Sequence, residues 1–407
     1  MSQPRFKFVG KPKLPNNDSK KPFVKIFEKD KKQIASLNFG IQEGKNSIVF
    51  VECFDSVRDK IKTKDTDGND IEIKWEDRFN EDVIKSVVGY RKYVCDLGED
   101  FSGRKEFITG WDFIAFLKEN LPKYKGKVCV NGQWNKQWYK DKYYDKFPIV
   151  SVYAVDDEEA SKFYITADIY YRKDCVDVSD WQENKKIYVD GYIQQYINKD
   201  EGTKFIPQRF VFSGAKYRPD NEKHQKLLAY RRKYIESKSK KWTHLLWECV
   251  MLNGTELIEF DESQLTAAQK EQIELGIKTI DDFKPKGSIF GDIVYEYRFC
   301  NPSLIKASET DDFSNGAIEL DYTDDEFDEL VYEPAQDEKM SDVMNNSKKS
   351  SNNKDEEDDE YVEGSTDKEL DEIFDGMNKP EDDSDNDDET INEEDDSDDD
   401  FDDDLFS

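Results

Sequence analysis

Between residues 134 and 146 the chain interleaves flat rings with ammonium groups: Trp134, Trp138, Tyr139, Tyr143 and Tyr144 stand among Lys136, Lys140, Lys142 and Lys146. Nucleobases stack on such rings for about 1–3 kcal/mol each, while a basic groove follows the phosphates. A second set of this kind comprises Tyr192, Tyr196, Lys204, Arg209, Tyr217 and Arg218, and a third Lys226, Tyr230, Arg231, Arg232 and Tyr234. Any one of these rings is better explained as barrel filling, but the whole set is not. In a strand such as 205–212 one face must point outward, which brings Arg209 to a groove while Phe210 and Phe212 pack inside.

Patterns for catalysis are missing. The two histidines, His224 and His244, sit in basic surroundings without H-E-x-x-H spacing, and the chain has no phosphate-cradling glycine loop of either common type. The six cysteines (Cys53, Cys95, Cys129, Cys175, Cys249 and Cys300) lie far apart with no C-x-x-C pair, which argues against a zinc site or a disulfide framework. We therefore expect no enzymatic activity, no cofactor and no metal. A metal-dependent nuclease is the weaker alternative, because no acidic cluster stands out at a strand end.

The elements that must position these residues are mostly strands. Residues 23–27, 33–41 and 47–54 are strand-like, and 33–41 and 71–75 alternate as half-buried strands do. Helices fit 81–88 and 111–120, the latter capped by Thr109, and further strands fit 163–171, 186–193 and 204–212. Gly132 and Gly191, each two residues after a valine, mark bends of the kind a small barrel needs. A basic helix over 221–237 follows. Asn253-Gly254 then predicts a hairpin turn within 242–260, Thr266 caps a short helix over 265–277, and 293–299 is the last strand. The expected fold is mainly β with helical insertions, as one or two barrels followed by a disordered acidic tail. The expected division is a basic flexible arm over 1–21, an N-terminal β-rich region over 22–125, a single-strand-binding region over 126–308 and the tail over 309–407.

Charge separates that tail from the body. Residues 309–407 hold 43 Asp and Glu against 6 Lys, whereas the other 308 residues hold 54 Lys and Arg against 49 Asp and Glu. One island, 366–377, carries a capping box (Thr366, Glu369) and an apolar face (Leu370, Ile373, Phe374, Met377), a pattern that suits folding on a partner. No apolar run approaches the ~20 residues that cross a bilayer, so no membrane association is expected.

A body of this kind with such a tail resembles the single-stranded DNA-binding proteins of bacteria and bacteriophages, which join an oligonucleotide-binding (OB) core to an acidic tail. The resemblance is specific at the tip, where Asp402, Asp403, Asp404, Leu405 and Phe406 match the Asp-rich, apolar-ended signature of that family, although Ser407 follows the phenylalanine here. It implies a protein that coats single strands without reading sequence and recruits replication, recombination or repair proteins through the tip. The implied location is the cytoplasm of a bacterial or phage-infected cell, or the nucleus of a eukaryote. The rival reading is an acidic-tailed chaperone or scaffold for basic proteins such as histones.

Overall fold

A computed structural model describes residues 3–334, apart from 16–20, 30, 45–46, 99–100, 140–141, 237–238, 259–264, 280–282, 284–288, 307, 310 and 314–315. Lys140, the capping-box island at 366–377 and the tip at 402–406 lie outside the described residues.

Strict alternation builds the C-terminal barrel. In the strand Lys162–Tyr171, Phe163, Ile165, Ala167, Ile169 and Tyr171 are buried, and Ile187, Val189 and Ile193 do the same in Lys186–Asn198. Strands Gly202–Ser213, Thr243–Ile258 and Ile289–Pro302 complete it. The first strand pairs with the second (Ile169↔Ile193), and the second with the third (Ile187↔Phe212). The third pairs in parallel with the fifth (Val211↔Arg298), the fifth with the fourth (Tyr297↔Met251), and the fourth with the first (Trp247↔Ala167). This circuit closes a five-stranded Greek-key barrel, and the helix Glu222–Ile235 lies between its third and fourth strands. That is the connectivity of an OB-type barrel.

The same circuit recurs in the N-terminal part. Its strands are Arg5–Lys13, Lys32–Gly44, Ser47–Ser56, Lys127–Gln133 and Ile149–Val155. Pairings Pro12↔Ile41, Leu37↔Cys53, Val152↔Val130 and Phe8↔Val130 join them, and a single parallel bridge, Glu52↔Pro148, closes the ring. The Glu52 amide donates to the Phe147 carbonyl there at 3.1 Å. Helix Gly110–Asn120, whose Thr109 hydroxyl accepts from the Asp112 amide, again sits between the third and fourth strands. The first strands of the two barrels pair antiparallel (Phe6↔Ile165), so one sheet runs through both. Gly132 is required where strands converge, because a Cβ there would collide with the Pro148 carbonyl and the Phe6 ring.

Four expectations are corrected. Within the segment 1–21, expected as a flexible arm, Arg5–Lys13 is a strand that buries Phe6, Phe8 and Val9 against neighbours on both sides. The division at 125/126 fails because Lys127–Gln133 and Ile149–Val155 belong to the first barrel. Asn253-Gly254 is no turn. The strand Thr243–Ile258 runs straight through it, pairing Asn253 with Tyr295 and Gly254 with Val294, while the Asn253 side chain donates from Nδ2 to the Ile48 carbonyl at 2.7 Å. The acidic region does not begin as a free tail at 309: Ile318–Glu319 pairs with the strand Thr243–Ile258, and the helix Asp324–Leu330 buries Phe327 completely. Among the described residues no helix is long and apolar enough to cross a membrane.

Candidate nucleic-acid interface

On an OB-type barrel the outer face of the second and third strands, flanked by the 1–2 and 4–5 loops, is where oligonucleotides bind. In the N-terminal barrel that face carries exposed rings. Strand Ser47–Ser56 turns Val49, Val51 and Cys53 inward and Phe50 and Phe54 outward, the two rings 42 % and 48 % exposed. Four residues apart on one strand, they stand about 13 Å from each other. Lysines occupy the same rows: the register runs Lys13↔Gly40↔Phe50 in one and Lys25↔Ser36↔Phe54 in another, with Lys11↔Gln42↔Ile48 beyond. Lys11, Lys13 and Lys25 are all exposed, and among the described residues neither Lys11 nor Lys13 has an ion-pair partner. Gly40 keeps its row open, since a Cβ there would press on the Ile48 side chain at 2.7 Å.

Between the two rings lies Glu52, opposite Asn38, with its carboxylate 3.4 Å from the Lys146 ammonium. Lys21 completes this group. Burial, and then the positive charge of Lys146, push the Lys21 ammonium down to about 8, against the opposing pull of Glu52. The face thus combines two rings with five amines around a single central carboxylate. It can hold flat, electron-rich rings beside a chain of anions.

The residues singled out in the sequence are distributed differently. Asn135–Tyr139 and Lys142–Lys146 form a hairpin in the 4–5 loop of the first barrel, and it docks on the second barrel instead of presenting its rings to solvent. Trp134 is fully buried, stacked on Tyr297 at 4.5 Å, and donates from Nε1 to Asp145 at 2.6 Å. The Lys136 ammonium lies 2.7 Å from Asp145, with the two side chains 6 % and 8 % exposed. Burial alone would raise the Asp145 carboxyl. The Lys136 charge and hydrogen bonds from Lys136, Tyr295 and Trp134 outweigh it and hold the group below the usual carboxylate range. Tyr139 is buried as well, whereas Trp138, Tyr143 and Tyr144 are half-buried and Lys142 is exposed. Trp134, Lys136 and Tyr139 are therefore structural, because a buried ring or amine cannot meet a base or phosphate.

The corresponding face of the second barrel is covered. Tyr170, Tyr192 and Phe205 point outward, but Phe327 stacks 4.4 Å from Phe205 and 3.6 Å from Trp242, and meets Tyr192 edge-on at 5.2 Å. The acidic segment also engages the cations there. Arg172 pairs with Asp324, Lys241 with Asp321 at 3.4 Å, and the Lys204 ammonium donates to the Glu329 carbonyl at 3.2 Å. Tyr192 and Lys204 are thus not open to a ligand in this state. Arg209, on the uncovered part, forms a two-point pair with Asp190 at 2.6 and 2.9 Å, and Tyr196 is half-exposed at the hairpin end.

Around the helix Glu222–Ile235 the third set is partly committed. Arg231 donates to Tyr217 and, at 2.7 Å, to Asn301; Arg232 pairs with Glu236 and lies 4.3 Å over the Trp181 ring. Arg218 and Tyr230 are exposed. His224 accepts from the Arg218 amide at 3.1 Å, and His244 meets Asp168 at 3.0 Å while stacking on Tyr170, so both histidines have structural partners. Among the described residues no cluster of three or more His, Cys, Asp or Glu is placed to hold a metal ion.

Phe50 and Phe54 are the residues that selection by interleaved rings and lysines overlooks. The signal that finds them is parity: in 49–54 the odd positions are Val49, Val51 and Cys53, which leaves both phenylalanines on the opposite face. The chain matches no protein-family model, no curated protein and no solved structure in comparisons with each.

Proposed function

We propose that this chain binds single-stranded nucleic acid, DNA in the first instance, on the outer face of its N-terminal barrel and without reading base sequence. The observation that carries the proposal is the pair of exposed rings, Phe50 and Phe54, on the third strand of an OB-type barrel, bordered in register by Lys11, Lys13 and Lys25. Rings accept any base through its π-face, and the amines hold the phosphates, so affinity comes without hydrogen-bond readout. Arg218, in the loop before the basic helix, and Tyr230 on that helix extend the reading to longer strands.

In this reading the protein coats and protects exposed single strands during replication, recombination or repair. The acidic region beyond residue 334 serves as the arm that gathers partner proteins, with Leu405 and Phe406 after three aspartates as its anchor. Fluorescence anisotropy with a labelled oligo-dT, a duplex of the same length and the matching RNA tests the proposal. Tight, salt-sensitive binding of the single strand, well above that of the duplex, supports it; equal or absent binding rejects it. Survival of the oligonucleotide with magnesium present separates binding from nuclease action.

A further inference from the structure

The helix Asp324–Leu330 behaves as a ligand of the second barrel. The Thr323 hydroxyl accepts from the Glu326 amide, and the Glu326 carboxylate accepts from the Thr323 amide at 2.8 Å, closing a capping box. Asp324 reaches Arg172, and Phe327 enters a slot walled by Trp242, Phe205, Tyr192 and Tyr170. Leu330 and Val331 pack beside it, and Val331 bridges to Phe205.

The sequence that does this occurs twice. Residues 323–331 read T-D-D-E-F-D-E-L-V, and residues 366–374 read T-D-K-E-L-D-E-I-F. The cap pair recurs as Thr366 and Glu369, and the aspartate that meets Arg172 recurs as Asp367. Leu370 stands where Phe327 stands, Ile373 where Leu330 does, and Phe374 where Val331 does, so each apolar contact has an apolar counterpart. The one change of charge, Lys368 for Asp325, falls at an exposed position that the slot does not touch. Within these nine residues every group that holds the barrel is thus present or replaced in kind, whereas Leu320, Asp321 and Tyr322, which add contacts just before the first copy, have Glu363, Gly364 and Ser365 in their places.

We propose that residues 366–374 are a second ligand for the slot formed by Trp242, Phe205, Tyr192 and Tyr170, exchanging with residues 323–331 of the same chain. The 34 residues between the copies have, as a coil, a root-mean-square reach of roughly 30 Å, enough to return to the same barrel. Tethering makes the exchange intramolecular, with an effective concentration on the order of millimolar. A phenylalanine ring stacks on Trp242 better than a leucine does, so the first copy holds the slot by default. Docking of the second copy shortens the stretch between the barrel and Leu405 from 73 residues after Val331 to 30 after Phe374, which draws Leu405 inward. This exchange does not depend on nucleic-acid binding.

Hydrogen–deuterium exchange on the full-length chain tests it with two variants. Leu370→Phe leaves the barrel untouched; slowed exchange over 366–374, together with faster exchange over 323–331, is the expected result. Phe327→Ala vacates the slot from the other side, and the expected result is again protection over 366–374, lost when Leu370→Ala and Ile373→Ala are added. Protection that stays at the wild-type level over 366–374 in Leu370→Phe overturns the proposal, whether or not Phe327→Ala folds. A doubled mass for the protected species in size-exclusion chromatography with light scattering overturns the same-chain exchange in favour of exchange between copies.

Discussion

The ammonium of Lys136 lies 2.7 Å from the carboxylate of Asp145, and both side chains are almost wholly shielded from water. A buried charge of this kind is held by its partner: removing one member leaves the other uncompensated, at a cost of about 3–5 kcal/mol. Lys136→Met should therefore lower the melting temperature sharply, and should leave oligonucleotide affinity unchanged under conditions where the variant is folded. The sign with pH follows from the depressed Asp145 carboxyl. Its stabilisation is present above the unfolded carboxylate pKa and is lost as pH falls through the lower folded value, so the wild type should lose more stability on acidification than the variant. Thermal melts between pH 7 and pH 3 check both statements.

That pair also shows where the sequence was legible and where it was not. Strand-forming runs located 163–171, 186–193 and 204–212, and with them the mainly β class, because runs rich in β-branched and aromatic residues read as strands without knowledge of the partner strand. The Lys-aromatic run of 134–146 misled because composition does not reveal that a loop from one barrel docks on another, where Trp134 finds Tyr297 and Lys136 finds Asp145. Asn253-Gly254 misled for a related reason: its turn propensity yields to pairing with Tyr295 and Val294 along a long strand. Phe327 was hidden among carboxylates, and only the tertiary slot explains it.

Lys21 gives the candidate face its own pH dependence. With its ammonium pushed down to about 8, it is charged near pH 7 and neutral near pH 9, so single-strand affinity should fall severalfold across that interval. Stability moves the other way, rising with pH through the same interval, because the unfolded chain holds the proton that the folded chain gives up. Lys21→Arg, which stays charged, should remove the fall in affinity. Anisotropy titrations at pH 7, 8 and 9 on both proteins decide the matter.

Salt should report the phosphate contacts one at a time. Each amine that neutralises a phosphate of a single strand contributes a slope of about 0.7 in a plot of log affinity against log salt concentration. Replacing Lys11 and Lys13 by glutamine should flatten that slope by about 1.4 and weaken binding to all sequences alike. A slope that does not change places the phosphates elsewhere.

The position of Phe327 sets where the acidic region can be cut. Ending the chain at 308 would strip the slot bare, whereas ending it at 334 keeps Phe327 in place and removes 32 Asp and Glu with 6 Lys. A polyanion on the same chain competes with a bound strand, so the 1–334 protein should bind oligo-dT more tightly at low salt, with the difference shrinking as salt rises. Equal affinities at low salt would show that the acidic region does not compete.

The central claim is that Phe50 and Phe54 stack on bases. Both rings are exposed, so Phe50→Ala and Phe54→Ala should leave the melting temperature nearly unchanged. Each should weaken oligo-dT binding roughly 5- to 150-fold, the range set by one lost base–aromatic stack. Anisotropy on the double variant is the most direct measurement. A folded protein with wild-type stability and strongly reduced affinity is the predicted result, and a folded protein with unchanged affinity contradicts the account.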